Sequence, residues 1–288
     1  MAASNALKMD DILSKLQDLP SLPHVVLKVY QLADDPQTNA AQLSLIIGKD
    51  HGFAARLLRM ANSPYYGMSR RIGSIDQAVM VLGCRTVKSL SLLAGTFPFL
   101  SKTLPGYTVE PSALWRHSLA TAIIAQGLCS KVGANPDETF AAALLHDMGK
   151  LVIAAYAPKA GEEACKKAIK EGVSFHQAEK TLWGFTHAEL GEAVCKMWAL
   201  PDTIQDAVGM HHEPSAPPSP IVAIVHVSDW LATKCGFPLN EQEPIDEEPI
   251  ERCMAVLGLT NANLAEALES ASARIAESDD LFFEDEAA

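Results

Sequence analysis

The chain has no CxxC pair: its six cysteines, Cys84, Cys129, Cys165, Cys195, Cys235 and Cys253, are scattered along 288 residues. That spacing excludes a zinc ribbon and a dithiol redox motif, and leaves most of them the role of small buried hydrophobes in a reducing compartment. Also missing is any uninterrupted apolar run of membrane-spanning length. The N-terminus, MAASNALKMDD, lacks the basic and apolar blocks of a secretory signal. The expectation is a soluble, cytoplasmic protein with no membrane partner. Basic residues are in deficit, with 23 Lys and Arg against 35 Asp and Glu and a net charge of -12. This argues against broad phosphate-backbone binding, including binding of nucleic acid through the arginines and lysines between Arg56 and Lys88. Much of the acid lies late, at Glu241 to Glu251 and Glu277 to Glu286, and reads as a solvated tail. No sustained period-two stretch demands a sheet, and there is no internal repeat or long linker.

What remains is helix after helix. Hydrophobic residues make up 48% of the chain, enough for a real core in one large or two small domains. After Ser21-Leu22-Pro23, the residues Val25, Val26, Val29 and Leu32 recur at helical spacing until Asp34-Asp35-Pro36 stops them. Ala40 to Ile47 and Phe53 to Ala61 give two more helices, the second with Arg56 and Arg59 turned to solvent. Asn62 to Gly67 is turn chemistry. Ser74 and Gln77 have the form of a capping box opening a helix that Gly83 closes, and Arg85 to Leu93 follows as another. The Pro105-Gly106 turn marks an internal boundary near residue 104.

The second half carries the chemistry. In FAAALLHDMGK, Phe140 to Lys150, an apolar helical run ends in an adjacent His146-Asp147 pair. An imidazole and a carboxylate withdrawn from water together offer two ligands to a divalent cation, which would relieve the cost of burying the charge. The alternative is a satisfied core histidine beside a capping or salt-bridging aspartate. His117 lies one helix upstream, in the apolar run Trp115 to Val132. Thr186-His187-Ala188-Glu189 is a second capping-box pattern that puts His187 at the first helical position, and Gly191 then permits close helix approach.

A helix from Pro201-Asp202 delivers His211-His212, which on a helix point about a hundred degrees apart and so suit two neighbouring metals better than one. Asp229 is the only carboxylate in IVAIVHVSDWLA, where it either joins a metal site or pairs with His226 on the same face. Imidazole and carboxylate ligation without thiolate favours iron, manganese or zinc over calcium or magnesium. Lys150 either faces the same pocket, where it would neutralise a phosphate, or closes a helix as an exposed lysine. Beyond residue 240, Pro249 to Leu257 and Asn263 to Ile275 read as helices, the latter with Leu264, Leu268, Ala271 and Ile275 on one stripe.

The N-terminal pattern resembles an HDOD domain, through SLP at Ser21, LSLIIGKD at Leu43, RLLRMANSPYYG at Arg56 and IGSIDQAVMVLG at Ile72. It departs from that family at His51, where Pro is common. The second half resembles the HD metal-dependent phosphohydrolase superfamily, of which HDOD domains are a divergent branch. The resemblance implies an all-α fold: an N-terminal helical part at 1–103 packed on an HD-type core at 104–240, followed by C-terminal helices and the acidic tail at 241–288.

It further implies one metal held by His117, His146, Asp147 and Asp229, with Asp147 bridging to a second held by His187, His211 and His212. Were the site catalytic, Asp147 and Lys150 would serve phosphoester hydrolysis. Two departures from the cyclic di-GMP-cleaving HD-GYP branch count against that substrate: EPSAPPSP replaces the Gly-Tyr-Pro loop after the paired histidines, and Ala113 stands where a glutamate is frequent. The resemblance therefore implies first a bacterial signal-transduction module acting through contacts with signalling proteins, with one or two metal ions or a nucleotide as structural or sensory ligand. As the alternative it implies an active phosphohydrolase on a phosphoester or nucleotide.

Overall fold

The computed structural model describes residues 7–15, 23–33, 35, 37–62, 66, 68, 70–107, 109–239 and 248–283. Ser21, Leu22, the turn at 63–65 and much of the late acidic sequence lie outside them. Among the described residues every regular element is a helix, as the missing period-two pattern requires. They are α1 (Met9–Leu13), α2 (His24–Leu32), α3 (Ala40–Ile47), α4 (His51–Ala61), α5 (Ile75–Leu100), α6 (Ala113–Val132), α7 (Pro136–Leu145) and α8 (Met148–Tyr156). There follow α9 (Pro158–Glu171), α10 (Phe175–Trp183), α11 (His187–Met197), α12 (Asp202–Met210), α13 (Pro220–Lys234), α14 (Glu248–Leu257) and α15 (Asn261–Phe283). The chain divides into two compact units, residues 20–98 with 269–288, and residues 99–268 with 1–19.

In the first unit, each short helix is fixed by its start. Asn39 and Gln42 form a reciprocal capping box at α3, and the Asp50 side chain accepts the Phe53 N–H at 2.9 Å to open α4. At α5, Ser74 accepts from Gln77 N–H, but the Gln77 side chain reaches Gly73 N–H instead of that of Ser74, so the box is only half formed. Arg56 is not simply turned to solvent; its Nε donates to the Ala94 carbonyl at 3.2 Å. α5 has the length and apolarity of a membrane span, but Gly83 at φ 83°, ψ 160° interrupts it, and 61% of its most apolar window is buried. Neither side of the break reaches the roughly 20 residues that a span needs.

The second unit is built around α6. Burial on nearly all its faces, from Leu114 through Cys129, makes it a central helix rather than a surface one. It packs on α7 and α13, and each buried Leu or Ile there stabilises the unit by roughly 1.5–3 kcal/mol. Gly133 ends α6 in the left-handed conformation, and Asn135 with Pro136 restarts the chain as α7. Two glycines then let α8 and α11 touch backbone to backbone. A Cβ on Gly149 would lie 1.8 Å from the His187 carbonyl oxygen, and one on Gly191 would lie 2.9 Å from Val208. The first distance is impossible for any side chain, so Gly149 is the condition for bringing α11's first residue up to the His146-Asp147 turn. Of the cysteines, Cys129, Cys165, Cys195 and Cys253 are buried, whereas Cys84 and Cys235 are half-buried. Leu264, Ala267, Ala271 and Ile275 of α15 are buried, one residue off the expected stripe at Ala267.

Candidate metal centre

Seven side chains converge in the second unit, and all seven are those singled out from the sequence. His117, His146 and Asp229 present ligand atoms within 4.8 Å of one another; so do Asp147, His187, His211 and His212. Asp147 stands between the two groups. Its Oδ2 faces His117 Nε2 at 3.8 Å and His146 Nε2 at 3.5 Å, while its Oδ1 faces His187 Nε2 at 3.2 Å and His211 Nε2 at 3.7 Å. Asp229 Oδ1 lies 3.0 Å from His117 Nε2 and 3.7 Å from His146 Nε2.

The elements explain the convergence. His117 sits inside α6 and Asp229 inside α13, two helices packed on each other. His146 and Asp147 form the turn between α7 and α8. The complete Thr186–Glu189 capping box fixes His187 at the start of α11. The paired histidines do not diverge as the helical geometry predicted. α12 ends at Met210, so the hundred-degree rotation no longer applies, and both rings turn to the same group with centroids 4.0 Å apart. His226 is not the partner of Asp229 either; its Nδ1 donates to the His211 carbonyl and holds that turn. Lys150 is buried, and its Nζ donates to Asp147 Oδ2 at 2.9 Å, which removes the reading of an exposed lysine at a helix end.

The hydrogen bonds set the imidazole tautomers. Nδ1 of His117 lies 2.8 Å from the Phe237 carbonyl, Nδ1 of His146 lies 2.6 Å from that of Ala143, and Nδ1 of His211 lies 2.7 Å from that of Val208. A carbonyl only accepts, so each Nδ1 carries a proton and each Nε2 is left to face the centre; at His117, burial lowers the imidazole but the adjoining Asp229 outweighs it and raises it. Yet the Nε2 atoms of His117 and His146 face each other at 3.1 Å, and those of His187 and His212 at 3.0 Å. Two imidazole nitrogens at that distance repel unless a cation or a proton lies between them. His211 Nε2 and Asp147 Oδ1 are buried with no hydrogen-bond partner at all. Ligand nitrogens about 2.1 Å from one ion and at right angles to each other stand about 3.0 Å apart, so the spacing suits a shared metal. The residues present therefore fit a divalent transition metal.

The electrostatics agree. Burial, partly countered by Asp147 and Asp229, pulls His146 down to about 4 and leaves it neutral. Burial also drives His212 well below the usual imidazole range, with the neighbouring histidines adding to the effect. His187 goes the other way: burial opposes its charge, but Glu179 and then Asp147 hold it up at about 9. Without a metal, the centre thus calls for a positive charge at His187. Burial opposes ionisation of Asp147 as well, yet Lys150 and His146 keep it well below the ordinary carboxylate range.

Two residues at the centre escaped the sequence reading. Glu179 is wholly buried, and its Oε2 accepts both the backbone N–H of His187 at 2.8 Å and its Nδ1–H at 2.6 Å. His176 stacks on His212 at 4.7 Å with 12° between the rings. The sequence did hold a signal for Glu179: it lies four residues after Phe175 on the face that Phe175 and Ala178 bury. A cavity of about 300 Å³ opens on the centre, with His117, Lys150, His176, His212 and Asp229 in its wall.

Known proteins share this architecture. A structure of an HDOD domain protein from Geobacter sulfurreducens is 28% identical with a TM-score of 0.78, covering 96% of this chain and 97% of that one. A candidate phosphohydrolase from Shewanella amazonensis, 23% identical with a TM-score of 0.75 over 94% of this chain and 97% of its own, has the same fold. A protein of Treponema pallidum (strain Nichols) is 26% identical over 209 residues, 72% of this chain, and the match spans only 40% of that relative's length. The family model of the HDOD domain matches residues 19–214, and the chain belongs to the HDOD family.

Proposed function

We propose that this chain is a bacterial signalling module built around a two-metal HD centre that binds and hydrolyses a phosphoester, with regulatory contacts to other signalling proteins as its output. The observation that carries the reading is the convergence of imidazole Nε2 atoms, paired at 3.1 Å and 3.0 Å on either side of Asp147, at the wall of a cavity open to a small molecule. His117, His146, Asp147 and Asp229 would hold one ion; Asp147, His187, His211 and His212 would hold the other. Nitrogen-oxygen ligation without thiolate supports iron or manganese, or zinc. When bound, such ions lower the pKa of a water and neutralise the charge developing on phosphoryl oxygens. The chain's own part is to fix the imidazoles through their Nδ1–H bonds, to keep Asp147 ionised, and to place the Lys150 charge beside it.

The test is turnover of p-nitrophenyl phosphate and bis(p-nitrophenyl) phosphate by protein reconstituted with iron or manganese. Hydrolysis that disappears in His146→Ala and Asp147→Ala variants of native helicity is the expected result. A second reading, a metal-loaded sensor without turnover, is favoured by the EPSAPPSP segment that follows the paired histidines. Stoichiometric metal in a folded protein inert on both esters would select it.

A further inference from the structure

The cavity beside the centre has a second cationic wall that none of the metal chemistry uses. Arg252, on α14, lines it, and α14 lies beyond the residues matched by the family model. Its guanidinium is tethered: Nη2 donates to the Pro214 carbonyl at 3.2 Å, an interaction that takes one of five N–H donors. Among the described residues no carboxylate pairs with it. The carboxylates in the cavity wall are Asp229, which faces the metal ligands, and Glu213, whose Oε1 lies 3.9 Å from His176 Nε2. Trp230, Leu239, Pro249 and Ile250 make up an apolar stretch of the same wall. Trp230 Nε1 is also buried without a hydrogen-bond partner, a donor that the protein alone leaves unsatisfied.

The two cations act on different parts of the site. Lys150 is bonded to Asp147, and its charge is felt at His117, His187 and His212, whereas that of Arg252 is felt at His226. A phosphoryl group held by the metal ligands beside Lys150 would leave Arg252 for something else. Arg252 is exposed, and its one backbone hydrogen bond leaves most of a planar fork that matches a carboxylate or a second phosphate.

We propose that the cavity recognises a small phosphoester whose apolar body carries a second anionic group, with Arg252 binding that second anion and the Trp230 wall covering the body. This rests on the phosphoester reading of the metal centre. Catalysis is not needed to test it. Binding of phenyl phosphate and of its 3-carboxy and 4-carboxy derivatives to the metal-loaded protein would be measured by calorimetry, in the native chain and in Arg252→Gln.

The expected result is that at least one carboxylated ester binds about tenfold or more tightly than phenyl phosphate, as a charge-assisted hydrogen bond allows. Arg252→Gln should abolish that preference while leaving phenyl phosphate affinity unchanged, and Arg252→Lys should restore part of it. Phenyl phosphate binding with no gain from either carboxylate, or a gain that survives in Arg252→Gln, would overturn the inference alone. If neither phenyl phosphate nor inorganic phosphate binds the metal-loaded protein, the phosphoester reading itself fails and takes this inference with it.

Discussion

The two halves of the candidate metal centre are built differently. His117 and Asp229 are held in the interiors of α6 and α13, two largely buried helices packed on each other. His187, His211 and His212 instead sit at helix ends, one at the first residue of α11 and two just past the last residue of α12. Apart from His146, at the C-cap of α7, the first half inherits its geometry from core packing. The second depends on a capping box, a glycine contact, hydrogen bonds that Glu179 accepts and one that His226 donates. Small local changes should therefore disturb the second half and spare the first.

The largest break should come from Gly149→Ala. Its new Cβ would meet the His187 carbonyl at 1.8 Å, so α8 and α11 must separate. Overpacking of backbone against backbone should cost about 3 kcal/mol or more of stability, and metal content should fall by at least the ion of the second half. Denaturant unfolding and elemental analysis on one preparation check both; an unchanged midpoint would refute the close approach.

Glu179→Gln should be milder and more selective. It weakens the partner of His187 Nδ1 without touching a ligand, and should lower affinity for the second ion about 10- to 100-fold while the first is held as before. Stepwise metal titration would reveal equal loss of both ions if the halves were not separable in this way.

Thr186→Ala removes the side-chain acceptor for Glu189 N–H and should cost about 1 kcal/mol, with both ions retained at saturating metal. Its sharper readout is faster release of the second ion to a chelator; release at the native rate would mean that the cap does not govern His187. The smallest effect expected is chemical. Burial, aided by Glu192, pushes the Cys195 thiol inside α11 up to about 12, so at pH 8 it should resist alkylation while the half-buried Cys84 and Cys235 react. Rapid labelling of Cys195 in the native protein would show that α11 opens.

The same division decides what could be read from the chain. Many of the helices were legible because caps and periodicity are local: Thr186 to Glu189 and Pro201-Asp202 each announce a start within a few residues. The seven converging residues were legible as an ordered set through the resemblance to the HD superfamily; the adjacent His146-Asp147 pair alone also allowed a satisfied core histidine beside a capping aspartate. The direction of His211 and His212 was not, because a helical rotation was applied past the point where α12 stops. Nor was the side of the helix on which Lys150 falls, which depends on Asp147 three residues earlier facing inward. Glu179 and Arg252 act on residues 8 and 38 positions away in the chain, His187 and Pro214; Glu179 reads as solvent-facing until the fold buries it, and Arg252 stays exposed but meets its carbonyl only in the folded chain.

Asp147 joins the two halves, and its removal tests the whole account most directly. Elemental analysis of the untagged protein, grown with iron and manganese supplied, should find close to two transition-metal ions per chain. The Asp147→Ala variant, with native helicity by circular dichroism, should hold neither firmly, because one oxygen is withdrawn from each group. A native protein that takes up no metal even on reconstitution, or a variant that keeps its full complement, would contradict the central claim.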